Sequence, residues 1–446
     1  MSCDVLNLEW ASAGRDREVA SSICHTLRRR GYSVVEESVF NYKYWLLKHR
    51  PRLLYIADPT GARVNQDAAL FAERVGVPSL CLDAEGDYAD GLAEPMFWGH
   101  VGDRRLTQRL KLQWSARARG LVLAVAPELR DRLKVTGAVG FDRYVLEHFA
   151  TKEAWREKYG FRHGRVVGFA GWTFDHLFGS VALREPWLDS FGEDTVERFR
   201  RDRDAVRELL TRLVEAHPDT LFVVKEHPGV VDSSETELAG LESLENVLLF
   251  SDQEPIADCI NVCDVWMAFD STTCIEAWLL GKPTLFVNPS GGDFPRTDVH
   301  RGTPILKSFE EVERALVEYE ATGRIAAFQA LEDARSRVLT DTLQWSDGKN
   351  HLRAAHYFEA TLEGLPREPP DPFSLSERAA AYKQNVLFRG ARYLPSLPGF
   401  RHNVAAHERF DRKQLKATER RIAAALDRLP PELSPEELAE LEEVNS

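Results

Sequence analysis

Long apolar runs are missing from this sequence. No stretch approaches the roughly 18 residues that a bilayer-spanning helix needs, so no such segment is expected. Basic charge is also short: 57 Lys and Arg stand against 70 Asp and Glu, a formal charge of −13. Nucleic-acid binders driven by bulk charge are usually basic, so no nucleic-acid partner is expected. The opening stretch MSCDVLNLEW carries acids and no basic region, so a secretory leader is not expected there. Cysteines number six and are scattered. Cys259 and Cys263 lie one helical turn apart, but no His or Cys cluster supplies the other half of a metal site. All six are expected to be small buried hydrophobes, which fits a reducing cytoplasm. The phosphate loop GxxxxGK[ST] is absent, and so is any short-period repeat.

What is there is an ordinary globular mix of 446 residues, 43% hydrophobic and 28% charged, long enough for two or three domains. The first third alternates short apolar runs with amphipathic stretches. DVLNLEW reads as a strand, Asp16 to Arg30 as a helix stopped at Gly31, and Tyr32–Val35 as the next strand. A helix near Tyr42–His49, a strand Leu53–Ala57, a helix near Gln66–Val75 and a strand Ser79–Leu82 follow. LVLAVAP (121–127) reads as a further strand. The rhythm restarts after Gly164 with RVVGFAG, the long charged helix Asp194–Ala216, and the strands in TLFVVKEHP, ENVLLFSD, CDVWMAF and KPTLFVNP. Strand and helix alternating at this spacing mean βα units and parallel sheets. The expected division is an N-terminal α/β domain (1–148), a second α/β domain (149–365), and a proline-rich linker with a basic helical tail (366–446). Residues 376–428 hold 12 Lys/Arg against 5 acids, a local +7, interleaved with Tyr382, Phe388, Tyr393, Phe400 and Phe410. Such a tail suits either an anionic membrane surface or packing on the acidic body of the protein. Residues 432–446 hold six Glu and no base, and read as a frayed helix or disordered tail.

In a parallel sheet, ligands bind beyond the carboxyl ends of the strands. Asp83 and Glu85, in Leu82-Asp83-Ala84-Glu85-Gly86, follow one strand; a carboxylate there could be a general base or cap a helix. Lys225-Glu226-His227-Pro228 follows another, where proline forces the chain out of the sheet. Lys225 and His227 could meet a phosphate there, with the imidazole as proton donor. Asp270-Ser271-Thr272-Thr273 opens a helix after a third strand. The same hydroxyls could bind an anion at the free N–H groups or simply cap the helix. Glu276, one turn on, could accept from ribose hydroxyls. Thr173 and Asp175, after RVVGFAG, are candidates to line the cleft, and Gly291-Gly292-Asp293 reads as a flexible loop.

Taken in order, these motifs resemble the GT-B glycosyltransferases of bacterial surface-carbohydrate synthesis, above all capsule Kdo transferases and bacterial sialyl- and polysialyltransferases. The resemblance rests on Asp83-Ala84-Glu85-Gly86, Lys225-Glu226-His227-Pro228, Ser271-Thr272-Thr273 with Glu276, and Gly281-Lys282-Pro283. VTGAVGFDRY resembles the inter-domain stretch and SDGKNHLRAAHYF the closing helix. It spans roughly residues 1–365. One departure is Ala84, where the sialyltransferase branch usually has an acid. Similar hydroxyl pairs also occur in nucleotide-sugar epimerases and polyglycerol-phosphate transferases.

The resemblance implies a GT-B fold, two Rossmann-like domains facing across a cleft. It implies a nucleotide-sugar donor, best a CMP-linked 3-deoxy-ulosonic acid, and a glycan or lipid-linked acceptor. Glu85 would be the base, and His227 would bind the departing phosphate. Lys225, Ser271, Thr272 and Thr273 would hold the phosphate and Glu276 the ribose. The alternatives are a polyglycerol-phosphate-type transferase, a nucleotide-sugar epimerase or, from another class, a catalytically silent GT-B binding subunit. No cofactor is implied, and no Asp-x-Asp pair suggests a metal. The expected location is the cytoplasm, with a peripheral place on the inner membrane if the tail binds lipid.

Overall fold

Two separate six-stranded parallel sheets organise the computed structural model, which describes residues 2–12, 14–57, 63–82, 86–88, 91, 93–98, 104–178, 188, 194–251, 253–292, 296–368, 373–397, 400 and 403–446. The chain divides into two compact units, Met1–Leu146 with Thr340–Ser446, and Glu147–Leu339.

The first unit holds β1 (Val5–Glu9), β2 (Val34–Ser38), β3 (Leu53–Ala57), β4 (Ser79–Leu82), β5 (Leu110–Gln113) and β6 (Leu133–Val135), in the order β2-β1-β3-β4-β5-β6. β1, β3 and β4 are buried along their whole length. Unbroken apolar runs of this kind belong to sheets covered on both faces. On one face Ile23 and Leu27 of the helix Arg15–Arg29 pack with Val5, Leu53 and Tyr55; on the other, Trp45, Leu46 and Phe71 pack with Leu6, Leu54 and Ile56. LVLAVAP departs from the strand expectation. Its first five residues end the helix Ala116–Val125, which Ser115 opens by accepting the Ala118 N–H at 3.1 Å. A short continuous apolar run has no period to tell strand from helix.

The boundary near 365 also differs from expectation, because the chain returns to the first unit well before it. The helix Asn350–Glu363 seats Phe358 edge-on to Tyr55, centroids 4.9 Å apart, and buries Ala354, Ala355 and Leu362 in the same core. The segment after 366 is no separate domain. Phe373 and Ala381 enter the core around Phe71 and Trp45. The acidic terminus is an ordered helix, Pro435–Asn445, opened by a Ser434–Glu437 capping box. Its Asn445 amide accepts from the Val135 N–H at 2.6 Å and donates to the Val135 carbonyl at 3.0 Å. It therefore satisfies backbone groups that the edge strand β6 would otherwise expose.

The second unit holds β7 (Arg165–Ala170), β8 (Thr220–Lys225), β9 (Val247–Phe250), β10 (Val265–Ala268), β11 (Thr284–Val287) and β12 (Ile305–Leu306), in the order β12-β11-β10-β7-β8-β9. The helix Asp194–Ala216 places Phe199, Val206, Leu210 and Leu213 on one stripe against Phe169, Phe222 and Val224. Gly168 in β7 is required by a close approach: a Cβ there would lie 2.1 Å from the Trp266 ring of the neighbouring β10. All six cysteines are buried. Among the described residues no helix is long and apolar enough to cross a membrane.

Candidate functional site

Register builds the site. Ala170, the last residue of β7, pairs with Ala268 of β10 on one side and Lys225 of β8 on the other. Neighbouring strands lie about 4.8 Å apart, so the loops leaving these three strands begin within about 10 Å of one another. Strand order reverses between β7 and β10, since β8 and β9 extend the sheet one way and β10 to β12 the other. The crevice beyond the carboxyl ends at such a reversal is where open α/β sheets bind ligands.

After β8 the chain turns through Lys225, Glu226 and His227. Glu226 is buried and accepts a hydrogen bond from the Ser251 hydroxyl, so it faces away from its two neighbours' task. His227 is half-buried, and its Nδ1 accepts the Gly229 N–H at 3.0 Å. In the neutral ring the proton then sits on Nε2, which makes that nitrogen a donor. His176, from the loop after β7, lies 2.6 Å from the Gly229 carbonyl through Nε2. Two imidazoles thus fix one glycine and, with it, the turn that carries His227.

The turn after β7 is held from below. Glu237 accepts the Trp172 N–H at 2.6 Å. Burial pushes the Glu237 carboxyl up to about 8, the Trp172 bond opposing. Asp175 departs from the cleft-lining expectation: it is fully buried, and its Oδ2 accepts from the Val231 and Asp232 N–H groups at 2.6 and 3.1 Å. It holds the loop after His227. Thr173 is largely buried, and its carbonyl accepts the His176 N–H at 3.2 Å.

After β10 comes Phe269, then Asp270 to Thr272, then the helix Thr273–Leu279, only seven residues long. The hydroxyls do different work. Trp266 Nε1–H donates to Thr273 Oγ1 at 3.0 Å, and Thr273 donates through both its hydroxyl (2.9 Å) and its N–H (3.1 Å) to Ser271 Oγ. Thr273 is therefore a support, while Ser271, already accepting twice, keeps its own proton to donate. Thr272 is half-buried beside it. Glu276 is 2% exposed and faces inward, not toward solvent.

The sequence reading missed Arg296. It arrives from the loop after β11 and is buried over the rings of Phe269 and Phe286, 4.7 and 5.4 Å from their centroids. It donates to the Phe269 carbonyl and lies 3.4 Å from Asp270. Burial lowers its pKa and Asp270 opposes that. A guanidinium thus sits at the same strand end as Ser271. The available signal was a lone arginine in the loop beyond a strand, which is weak. Glu9 was missed too. It ends β1, where the order of the first sheet reverses against β3, and Asn7 donates to it at 2.9 Å. Burial pushes Glu9 up to about 7 against the pull of Arg17. Asp83 and Glu85 lie outside the described residues, as does Asp293.

The sequence matches no protein-family profile and no curated protein. Solved structures do match. A Listeria monocytogenes protein assigned as a UDP-N-acetylglucosamine 2-epimerase aligns with a TM-score of 0.54 at 13% identity, over 84% of this chain and 100% of its own. S. aureus MnaA, solved with UDP, gives 0.53 at 12%, over 83% and 100%. The Neisseria meningitidis UDP-GlcNAc 2-epimerase, bound to UDP-GlcNAc, gives 0.52 at 13%, over 81% and 100%. The likeness is one of fold, and with its two parallel six-stranded sheets and helical C-terminal region the chain has the two-domain GT-B fold.

Proposed function

We propose that the chain is a nucleotide-sugar enzyme that binds the donor's phosphate at the carboxyl ends of β8, β7 and β10, and that it transfers the sugar to a glycan or lipid-linked acceptor. The observation that supports this reading is the shared register of Lys225, Ala170 and Ala268, which sets the strand ends before His227 and Ser271 side by side at a strand-order reversal, with Arg296 bonded to Phe269. Two cations, a hydroxyl proton and an imidazole N–H suit a phosphate on which negative charge grows as the sugar leaves. His227 donates from Nε2 to the departing phosphate oxygen, and Lys225, Ser271 and Arg296 take up the charge. The base expected at Glu85 would accept the acceptor's hydroxyl proton. The cytidine donor follows from the sequence resemblance to Kdo and sialyl transferases.

A second reading is epimerisation of a UDP-sugar. It is favoured by the structural likeness to a 2-epimerase bound to UDP-GlcNAc and to S. aureus MnaA, which was solved with UDP. The two part cleanly in one experiment. The protein is incubated with CMP- and UDP-linked sugars, with and without glycan acceptors, and the products are separated. Sugar transfer that requires acceptor supports the transferase. A new UDP-sugar formed from donor alone supports the epimerase and overturns the first reading.

A further inference from the structure

The basic tail is not one surface. The helix Arg412–Leu426 is tied to the rest of the protein by ion pairs: Arg412 pairs with Glu37 at 2.8 Å, Arg421 with Glu18 at 2.5 Å, and Glu419 lies 3.6 Å from Arg28. The helix Leu375–Gly390 is different. Its inner side is committed to the protein. Ala381 and Phe388 are buried, Asn385 accepts from Asn41 at 3.1 Å, and Gln384 accepts the Lys43 N–H at 2.9 Å.

Its outer side exposes large apolar side chains together with Arg389. Positions 375, 379, 382, 386 and 389 fall on one stripe by helical spacing, and Tyr393 follows in the turn after Gly390. Leu375, Tyr382 and Val386 along it, and Tyr393 just beyond, are 86%, 58%, 62% and 77% exposed, and Leu394 and Leu397 in the turns that follow are exposed too. Six of the eleven exposed large apolar side chains among the described residues lie in this short segment, 375–397. A concentration of that kind marks an interaction site.

The charge on this face has one sign. Lys383, Arg389 and Arg392 are exposed, and none forms an ion pair among the described residues. The segment's single acid, Glu377, is engaged by the Ser374 cap and lies 3.5 Å from Arg74. The adjoining helix Tyr42–His49 adds exposed Lys48, and its Tyr44 meets Tyr382 at a centroid distance of 6.1 Å.

We propose that the face formed by residues 375–397 docks the protein on an anionic lipid bilayer. Leu375, Tyr382, Val386, Tyr393, Leu394 and Leu397 enter the boundary between headgroups and acyl chains, and Lys383, Arg389 and Arg392 stay at the level of the lipid phosphates. A chain of formal charge −13 is repelled by such a surface as a whole, so attraction has to come from a local basic face. A second copy is the poorer occupant. A two-fold contact would set Lys383, Arg389 and Arg392 against the same residues of its mate. The proposal does not depend on the sugar-nucleotide reading, because its test involves no nucleotide.

The test is co-sedimentation of the full-length protein with vesicles of phosphatidylcholine alone or mixed with phosphatidylglycerol. Two variants accompany it, Lys383→Glu/Arg389→Glu/Arg392→Glu and Tyr382→Ser/Val386→Ser/Tyr393→Ser, each checked for an unchanged thermal unfolding transition. Binding to the mixed vesicles at low salt, weakened by salt, is expected. The charge variant should bind at least about a hundredfold more weakly, the change expected from losing three surface cations alone. The serine variant should also lose binding. Equal binding to neutral vesicles, no binding at low salt, or binding retained in both variants would overturn the proposal. So would self-association without vesicles that the serine variant abolishes, which would identify a second copy as the occupant.

Discussion

Replacing Glu237 by glutamine should stabilise the second unit, and only above acidic pH. In the native protein this carboxyl is fully buried beneath the Trp172 N–H, and burial raises it from an ordinary 4.5 to about 8. Below pH 4.5 it is protonated whether the chain is folded or not, so it has no effect on the balance. As the pH rises toward 8, the unfolded chain releases the proton and the folded chain retains it. Stability falls over this window, by about 1.4 kcal/mol per pH unit and at most about 5 kcal/mol in all. Glutamine keeps the acceptor for Trp172 and has no proton to retain. The variant should match the wild type near pH 4.5 and exceed it at pH 8 by several kcal/mol. In a unit of this size, each kcal/mol moves the midpoint by roughly 2–4 °C. Calorimetric scans across that pH range would follow the second unit's transition. A variant no more stable at pH 8, or a difference independent of pH, would mean that Glu237 is ionised in the folded protein, and the burial argument would be wrong.

His227→Ala should leave the unfolding transition near that of the wild type and lower turnover by roughly 10²–10³, the usual cost of one preorganised donor; steady-state rates on the donor found active would measure it. Gly137→Ala should destabilise the first unit by more than about 1–2 kcal/mol. Its φ is +83°, and a Cβ there would lie 2.0 Å from Asn350 Oδ1, so a lower first-unit midpoint in the same scans is expected.

The sheets were legible because their strands are short apolar runs cut by glycine and proline. Ser79–Leu82 and Leu53–Ala57 are found where the sequence puts them. β5 and β6 were not foreseen: LKLQ and LKV each place a lysine inside a short strand, and Lys111 is buried beside the Phe97 ring, 4.3 Å away. No local pattern predicts such a partner. Strand-end motifs located the turns that carry Lys225, His227 and Ser271, because the chain must leave the sheet there. The division of labour among Ser271, Thr272 and Thr273 was hidden, since it depends on the Trp266 indole reaching Thr273. Arg296 was hidden for the same reason: its place is set by packing over Phe269, in a different part of the chain. The tail was ambiguous in sequence because a helix with one apolar face does not name what covers it. Phe373 and Ala381 answer for the inner face of the helix Leu375–Gly390.

The central claim is that a phosphate of a sugar nucleotide binds beyond β8, β7 and β10. Calorimetric titration of the full-length protein with CMP, CDP, UMP, UDP and GDP tests it most directly, repeated on a Lys225→Ala/His227→Ala variant that unfolds at the wild-type midpoint. The account predicts saturable binding of a cytidine or uridine nucleotide that the double variant weakens at least about a hundredfold, as expected for two charge-assisted hydrogen bonds. Binding of equal strength in the variant, or no binding of any of the five by the wild type, would contradict it.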